Sequence, residues 1–405
     1  MKVLVADKFE ESGLAGLRTL GCEVLYEPKL EGDALGERLV SSRAEVLVVR
    51  STKVTAKEIE MAPALALIVR AGAGVNTIDL AAASARAIAV SNCPGKNSVA
   101  VAELAWGLIL ALDRRIPEQT ADLKAGVWNK AEYGKAKGLA GRTLGIAGFG
   151  SIGQEVAARG KAFGMPVVAW SRSLDVYAAA RHGVARAATL GELASESDVV
   201  SVHLALTKET KGLLGADFFG AMRPGALFVN TSRGEVVDGP ALAAAVAGKG
   251  IRAGLDVFER EPAGGSGPFE DPIVRSPAVV GTHHVGASTE QAQNAIAAET
   301  VRIVEAFLAT GEVPNAVNLS DRTPATHLLS VRHRDRVGVL AHIFGTLSAA
   351  GINVEQTENV VFAGAEGACA RIQVNRAPDE ETLRKIEAGS PDVFAVTLTP
   401  VWDRP

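Results

Sequence analysis

Cysteine is scarce in this 405-residue chain: Cys22, Cys93 and Cys369 lie far apart and are odd in number. That excludes a disulfide framework and a thiolate site with close ligand spacing, so no metal is expected. It fits a reducing cytoplasm, where a buried thiol is only a small apolar group. A basic excess is missing as well. Lys and Arg number 42 against 46 Asp and Glu, a formal charge of −4. Nothing here neutralises a phosphate backbone, so nucleic acid is excluded as a partner. Long apolar runs are missing too. The most membrane-like stretch, Val99–Leu112, is broken by Glu103 and is too short to span a bilayer. The N-terminus, Met1–Asp7, holds a short apolar run ended by charge, which predicts a first strand and not a signal peptide. Neither a low-complexity tract nor a repeat is present. What remains, 47% hydrophobic and 22% charged residues, describes a globular chain of two or three domains.

Short Val/Ile/Leu runs alternate with helical patterns. Val3–Ala6, Glu45–Arg50 and Leu67–Arg70 predict strands of a parallel sheet buried on both faces. A long Ala- and Leu-rich helix follows over Ser98–Leu112, then a crossing helix and loop within Ala121–Gly141. A second series predicts six strands: Thr143–Ala147, Val167–Trp170, Val199–Leu204, Leu227–Asn230, Ile251–Val257 and Val279–Thr282. Six strands alternating with helices predict a doubly wound α/β domain. A helix from Ala287 to near Thr310 is long enough to return to the first domain and complete it. Asn315–Pro324 reads as a linker, and from Thr326 the order becomes βαββαβ, a ferredoxin-like unit.

Gly148-Phe149-Gly150-Ser151-Ile152-Gly153 is a G-x-G-x-x-G sequence placed between a predicted strand and a predicted helix. That context makes it a dinucleotide site. Gly148 permits the turn, Gly150 lets the backbone approach a pyrophosphate, and Gly153 lets the helix pack closely. The pyrophosphate would sit at the helix N-terminus, beside the backbone of Phe149, Ser151 and Ile152. Ser171 stands 18 residues after Gly153, where an acid for the ribose hydroxyls is expected. Serine does not repel a 2′-phosphate and Arg172 can pair with one, which favours NADP; the alternative is an exposed Arg172 beside an NAD ribose.

Three segments follow strand ends: Asn230–Gly234, Asp256–Pro262 and Thr282–Gly286. Each lies at the carboxyl edge, where open α/β sheets bind ligands. Together they supply an arginine, a carboxylate and a histidine. Reduction of a 2-keto acid needs those groups: an arginine clamps the carboxylate, a histidine moves the hydroxyl proton, and a carboxylate orients the histidine. Separately they also fit a surface ion pair, solvated loop charges at Glu259 and Glu261, and a structural His283. Arg50 and Lys53 follow a first-domain strand and can meet a substrate phosphate, as can Arg70 and Arg114 more weakly.

These segments resemble the D-isomer-specific 2-hydroxy acid dehydrogenase family, within it most closely the phosphoglycerate dehydrogenases. Val49–Thr55, Arg70–Asp79, Asn92-Cys93-Pro94 and Ala102-Glu103-Leu104 resemble its first-domain and crossover signatures. The resemblance implies a nucleotide domain over 96–285 inserted in a flavodoxin-like substrate domain over 1–95 and 286–318. It implies hydride transfer between NAD(P) and a D-2-hydroxy acid, D-3-phosphoglycerate above all, at the first step of serine biosynthesis. An NADPH-linked glyoxylate or hydroxypyruvate reductase is the alternative, and a nucleotide-sensing corepressor is the reading of a different class. Arg233 carries over as the substrate clamp, Glu261 as the histidine's partner and His284 as the acid/base. Asp256 would meet the nicotinamide carboxamide, with His203, Thr231 and Ser232 lining the cofactor cleft. The backbone of Ala73 and Gly74 would take the substrate carboxylate, and Arg50 and Ser51 the far end of the substrate. The family has proline where this chain has His283, and its NAD-using phosphoglycerate members have aspartate where Ser171 stands.

Val331–Leu340 resembles the opening of an ACT domain, placed over 326–405. ACT domains bind small amino acids. Where serine is bound, the first loop reads His-x-Asn; here it reads His333-x-Asp335, with Asn353 retained in the second strand. These three residues make a candidate effector site for L-serine, enclosed most simply between two copies of the domain. A homodimer or homotetramer is expected. The other reading is a domain that only assembles subunits.

Overall fold

The computed structural model describes residues 1–262, 266–320 and 323–401. Residues 321–322 of the expected linker and the last four residues of the expected C-terminal domain lie outside the described residues. The chain divides into two units, Met1–Asn318 and Leu319–Pro405.

The first unit contains two parallel sheets. The first is built from β1 (Lys2–Val5), β2 (Glu23–Tyr26), β3 (Val46–Val49), β4 (Leu67–Arg70) and β5 (Ala89–Asn92), in the order β2-β1-β3-β4-β5. Sequence patterning located β1, β3 and β4 but missed β2 and β5. β2 is an edge strand with polar, exposed ends, and β5 reads Ala-Val-Ser-Asn, too polar to register as an apolar run. The polar Ser91 is nonetheless fully buried, because its hydroxyl donates to the Pro314 carbonyl at 2.6 Å. The helix Glu290–Thr310 starts at Thr289, whose side chain accepts the Ala292 amide, and ends at Gly311 in the left-handed region. It returns to the first sheet: Ile296, Ile303 and Val304 join Val3, Val5, Val46 and Leu67 in one core.

The second sheet holds β6 (Leu144–Ala147), β7 (Val167–Trp170), β8 (Ala185–Arg186), β9 (Val199–Val202), β10 (Leu227–Asn230), β11 (Arg252–Leu255) and β12 (Val279–Gly281). Its order is β12-β11-β10-β9-β6-β7-β8, a Rossmann-type sheet. The two-residue β8 is the strand missed by the sequence reading; two exposed residues carry no periodicity. Strand order reverses between β6 and β9, which opens the ligand crevice there. The region after the long helix Ser98–Arg114 contains two short helices, Ile116–Lys124 and Lys130–Tyr133, rather than one crossing helix.

The second unit has β13 (His327–Arg334), β14 (Val354–Val361), β15 (Gly367–Val374) and β16 (Val393–Pro400), antiparallel in the order β14-β15-β13-β16. The helices Val339–Ala349 and Glu380–Ala388 supply Ile343, Leu347 and Ile386 to a core with Leu329, Val331 and Ile372. This is the anticipated βαββαβ unit. Among the described residues no helix is long and apolar enough to cross a membrane, and no cluster of His, Cys, Asp or Glu is arranged to hold a metal.

Candidate active site

The crevice begins where β6 ends. Gly148 has φ +99°, and a Cβ there would lie 2.5 Å from the His203 carbonyl oxygen. At Gly153 a Cβ would lie 2.2 Å from the Gly148 carbonyl oxygen. Both positions therefore require glycine, whereas Gly150 faces open space. Gly150 also begins the helix Ser151–Ala162 without a side-chain cap, leaving the first amides available to an anion. The Phe149 ring is buried in the core, so only its backbone faces the crevice.

Beside this turn, two buried polar atoms lack partners: His203 Nδ1 and Thr231 Oγ1. Ser201 Oγ lies 2.8 Å from His203 Nε2. Burial pushes the His203 imidazole down to about 3, so it is neutral at physiological pH. Lying beside the glycine turn, these two atoms are available to a polar ligand. With the glycine cradle they fit a dinucleotide. Ser171 and Arg172 directly follow β7; Arg172 is exposed and forms no ion pair among the described residues.

Asn230, at the end of β10, is buried and staples the next turn. Its Oδ1 accepts from the Ser232 amide (3.0 Å) and hydroxyl (2.8 Å), and its Nδ2 donates to the Arg233 carbonyl (2.9 Å). Ser232 is thus occupied in holding the turn. Arg233 is presented toward the first sheet, where Nη2 lies 3.4 Å from Asn76 Oδ1. A Cβ at Gly74 would lie 2.4 Å from the same Nη2.

Asp256 follows β11, and its buried carboxylate gathers the histidine loop. It accepts from Thr282 Oγ1 (2.6 Å) and from the amides of Val285 and Gly286 (both 2.9 Å), while its carbonyl accepts the His284 amide at 2.7 Å. These bonds hold His284 at φ +53°, an unusual conformation for a residue with a side chain. Asp256 was assigned by resemblance to the nicotinamide carboxamide; what its carboxylate grips within the chain is this loop.

His284 Nδ1 donates to Glu261 Oε2 at 2.6 Å, and the Phe258 amide donates to Glu261 Oε1 at 2.9 Å. Burial raises the Glu261 pKa, but the His284 and Phe258 bonds and the charges of His284 and Arg233 outweigh it, holding the carboxyl below its ordinary range. An ionised Glu261 fixes the ring with Nε2 free for proton transfer. The neighbouring His283 is exposed.

Across the crevice, Asp7 follows β1 and accepts the amides of Arg50, Ser51 and Thr52 at 2.6–3.0 Å, and the Ser51 hydroxyl at 3.1 Å. The turn is locked and Ser51 is engaged within it. Burial and then the charges of Arg233 and Arg50 push Arg70 down to about 10; its Nε has no partner. Arg70 and Arg233 flank one loop, at Gly72 and Gly74 respectively, and Arg50 follows Val49, the strand partner of Arg70, so the three half-buried cations are neighbours. Arg114 does not join them. It ends the helix Ser98–Arg114 about 15–20 Å beyond Leu104 and Val101, the residues that pack near Gly286. Arg114 lines a separate cavity with Asp113 and Arg142. A larger cavity of about 380 Å³ lies behind the Phe258–Arg260 loop, but none of Arg50, Arg70, Arg233 and His284 lines it.

In the second unit, His333 is buried, with Nδ1 donating to the Arg334 carbonyl (2.7 Å) and Nε2 3.1 Å from Asn359 Oδ1. Asp335 and Asn353 are exposed. Within one chain His333 and Asp335 lie far from Asn353, which leaves the expected enclosure between two copies of the domain as the arrangement for a site using all three. Val374 pairs with both Val354 and His327, so Asn353 sits at the His327 end of the sheet. His333 lies six residues along β13, about 20 Å of strand rise away. Asn353 Nδ2 donates instead to Glu355 Oε1 at 2.7 Å.

Sequence reasoning did not single out Asp7, Asn76, Asn92 or Asn230 as positioning groups. The available signal was an Asp or Asn in a strand-end turn, where its short side chain bonds nearby backbone.

Comparison with known proteins accords with this geometry. Residues 106–286 match the family model described as D-isomer specific 2-hydroxyacid dehydrogenase, NAD binding domain, and residues 327–358 match the ACT domain model. A D-3-phosphoglycerate dehydrogenase of Methanocaldococcus jannaschii is 39% identical over 321 residues, covering 79% of this chain and 60% of that protein. The chain thus spans about 60% of the length of such relatives. A hydroxypyruvate reductase of Thermotoga maritima is 42% identical over 274 residues, 67% of this chain and 87% of that protein. The solved structure of NAD+-bound 3-phosphoglycerate dehydrogenase from Entamoeba histolytica aligns with a TM-score of 0.66 at 27% identity, covering 79% of this chain and 99% of that one.

Proposed function

The chain belongs to the D-isomer-specific 2-hydroxyacid dehydrogenase family, and from that premise we propose that it interconverts D-3-phosphoglycerate and 3-phosphohydroxypyruvate. The observation that carries this reading is the gathering of Arg50, Arg70 and Arg233 around the Gly72–Gly74 loop. A substrate with a carboxylate at one end and a phosphate at the other supplies the missing negative charge. In this reading Arg233 clamps the carboxylate and polarises the carbonyl, assisted by the backbone of Ala73 and Gly74. Arg50 and Arg70 take the phosphate, with Ser51 at the turn. His284 Nε2 removes the hydroxyl proton on oxidation and returns it on reduction, while ionised Glu261 steadies the imidazolium. A bound dinucleotide supplies the hydride chemistry. Gly148, Phe149, Gly150, Ser151, Ile152 and Gly153 hold its pyrophosphate, Ser171 and Arg172 its ribose, and His203, Thr231, Ser232 and Asp256 border the nicotinamide side.

Residues 1–95 and 286–318 form the substrate domain in this reading, and 96–285 the nucleotide domain. The free thiols fit a cytoplasmic setting. Ser171 and Arg172 support NADP, whereas resemblance to phosphoglycerate dehydrogenases supports NAD. A glyoxylate or hydroxypyruvate reductase is the second reading, supported by Ser171 and the Thermotoga relative. The corepressor reading predicts a partner-peptide cleft and poor turnover. Steady-state assays of 3-phosphohydroxypyruvate, hydroxypyruvate and glyoxylate with NADH and NADPH test the proposal. The phosphorylated acid is expected to have the highest kcat/KM; a higher value for either unphosphorylated acid overturns the assignment.

The ACT domain is assigned to a small amino acid, with L-serine the candidate. Because one chain separates Asn353 from His333 and Asp335, a site using all three needs a second copy, in a homodimer or homotetramer. L-serine should lower turnover and release heat in calorimetry, and Asn353→Ala should weaken both. No heat and unchanged turnover would leave the domain an assembly module.

A further inference from the structure

The loop after β4 has an unusual arrangement of peptide groups. The Gly72 carbonyl accepts the Cys93 amide at 2.9 Å, and the Ala73 carbonyl accepts Asn92 Nδ2 at 2.5 Å. Two successive carbonyls are thereby tied back to the end of β5. In a trans peptide the carbonyl and the following N–H point in opposite directions. The amides of Ala73 and Gly74 must therefore both point away from β5. Successive N–H groups on one side form a concavity that attracts anions. The amides of Ala73, Gly74 and Val75 donate to no protein acceptor among the described residues. Arg233 approaches the same segment at Gly74.

Only one of the two ties is main chain. The Cys93 amide cannot be altered without altering the backbone, but the Asn92 bond depends on a side chain. That side chain stands on a supported strand end. Asn315, at φ +56°, donates from Nδ2 to the Asn92 carbonyl at 3.3 Å and to Glu299 Oε1 at 2.8 Å. Glu299 is itself held by Lys96 at 3.2 Å and by Arg302 at 2.6 Å. The segment after the long returning helix also bonds to β5, with the Val317 amide donating to the Val90 carbonyl at 2.8 Å.

We infer that Asn92 is a positioning residue for substrate: by holding the Ala73 carbonyl it turns the Gly74 amide toward the carboxylate that Arg233 clamps. Asn92 touches neither substrate nor cofactor in this assignment. Its effect passes through one peptide plane. The inference rests on the proposed 2-keto acid site, specifically on its carboxylate end.

The test uses the full-length chain and the variants Asn92→Ala, Asn92→Asp and Asn315→Ala. Asn92→Asp keeps the shape but replaces the donor with an acceptor facing the Ala73 carbonyl. The probe is oxamate, a small 2-keto acid mimic, titrated against the protein with reduced cofactor bound. In both Asn92 variants the oxamate Kd and the KM for 3-phosphohydroxypyruvate should rise about tenfold, the order expected for one lost buried hydrogen bond. Cofactor Kd should stay within about twofold and kcat within about threefold of wild type, the split that marks a site-specific effect. Asn315→Ala should move the same two constants in the same direction by less. If Asn92→Ala does not fold, Asn92→Asp and Asn315→Ala still decide the matter. Unchanged oxamate Kd in Asn92→Asp overturns the inference, as does an equal weakening of cofactor and oxamate binding. If wild type binds oxamate but turns over no 2-keto acid, the proposed reaction fails while the role of Asn92 is still read from oxamate.

Discussion

The two parallel sheets of the first unit end in loops that leave different things unsatisfied. At the ends of β1 and β3 the backbone is engaged, by Asp7 above all, the amides of Ala73, Gly74 and Val75 after β4 are open, and the side chains left for a ligand are cationic: Arg50 and Arg70, with Arg233 reaching across. Around β6, β9 and β10 the unsatisfied groups are neutral: helix amides, His203 Nδ1 and Thr231 Oγ1. Both edges belong to open α/β sheets, and both offer a crevice at the carboxyl ends of their strands. The folds do not distinguish the ligands. What distinguishes them is which groups the protein leaves without partners, charged ones awaiting an anion and neutral ones awaiting a polar dinucleotide.

The sharpest break in this comparison comes at the group that faces both edges. His284→Ala should lower turnover about 10²–10⁴-fold, the usual cost of losing a general acid–base, with cofactor Kd unchanged. His283→Ala should remain near wild type in steady-state assays. The opposite pattern would move the proton to His283.

Next in size is the cationic edge. Arg70→Ala should raise KM for 3-phosphohydroxypyruvate about 10- to 100-fold, the range for a hydrogen bond to a charged group, and change KM for glyoxylate little. Equal losses on the two substrates would mean that Arg70 does not read the phosphate. On the neutral edge, Ser171→Asp should shift the kcat/KM ratio toward NAD about tenfold, by placing a carboxylate where a 2′-phosphate would lie. A wild type that already strongly prefers NAD would show that Arg172 is an exposed bystander.

The smallest expected effect concerns the join between the sheets' supporting segments. The Arg302 bond, opposed by burial and aided by Asn315 and Lys96, holds Glu299 at about 2, against an ordinary value of 4.5. A carboxyl held lower in the folded state contributes stability above its unfolded value. That contribution fades as pH falls from about 4.5 through about 2. Glu299→Gln should therefore cost about 1–3 kcal/mol in denaturant titrations at pH 7, and the difference from wild type should shrink at acid pH. A difference that is constant with pH would assign Glu299 a packing role.

Much of this was legible in one dimension. Six successive positions, 148–153, announce the nucleotide turn because its steric demands fall on neighbours in sequence: a Cβ at Gly148 would strike the His203 carbonyl, and one at Gly153 the Gly148 carbonyl. Continuous apolar runs announced β1, β3, β4, β6 and β7 for the same local reason. The arginine, carboxylate and histidine segments were visible as strand ends, and resemblance singled out Glu261 over Glu259 and His284 over His283. The structure then joined His284 to Glu261 through one short bond.

Other features belonged to the tertiary structure alone. β5 escaped notice because its polar Ser91 is satisfied by Pro314, 223 residues away. Nothing local in Asn92, Asn230 or Asp256 reveals which loop each will hold. Arg114 and Arg70 looked alike as candidate phosphate ligands, and only the direction and length of the helix Ser98–Arg114 parted them. Asn353 and His333 were read as parts of one effector site between two copies of the domain, and only strand register showed that in a single chain they lie at opposite ends of the sheet. Backbone conformation and burial repeat over a few residues and are written in the sequence. Partnership between charges and hydrogen-bonding groups depends on distance and burial in three dimensions, and those are fixed only when the chain has folded.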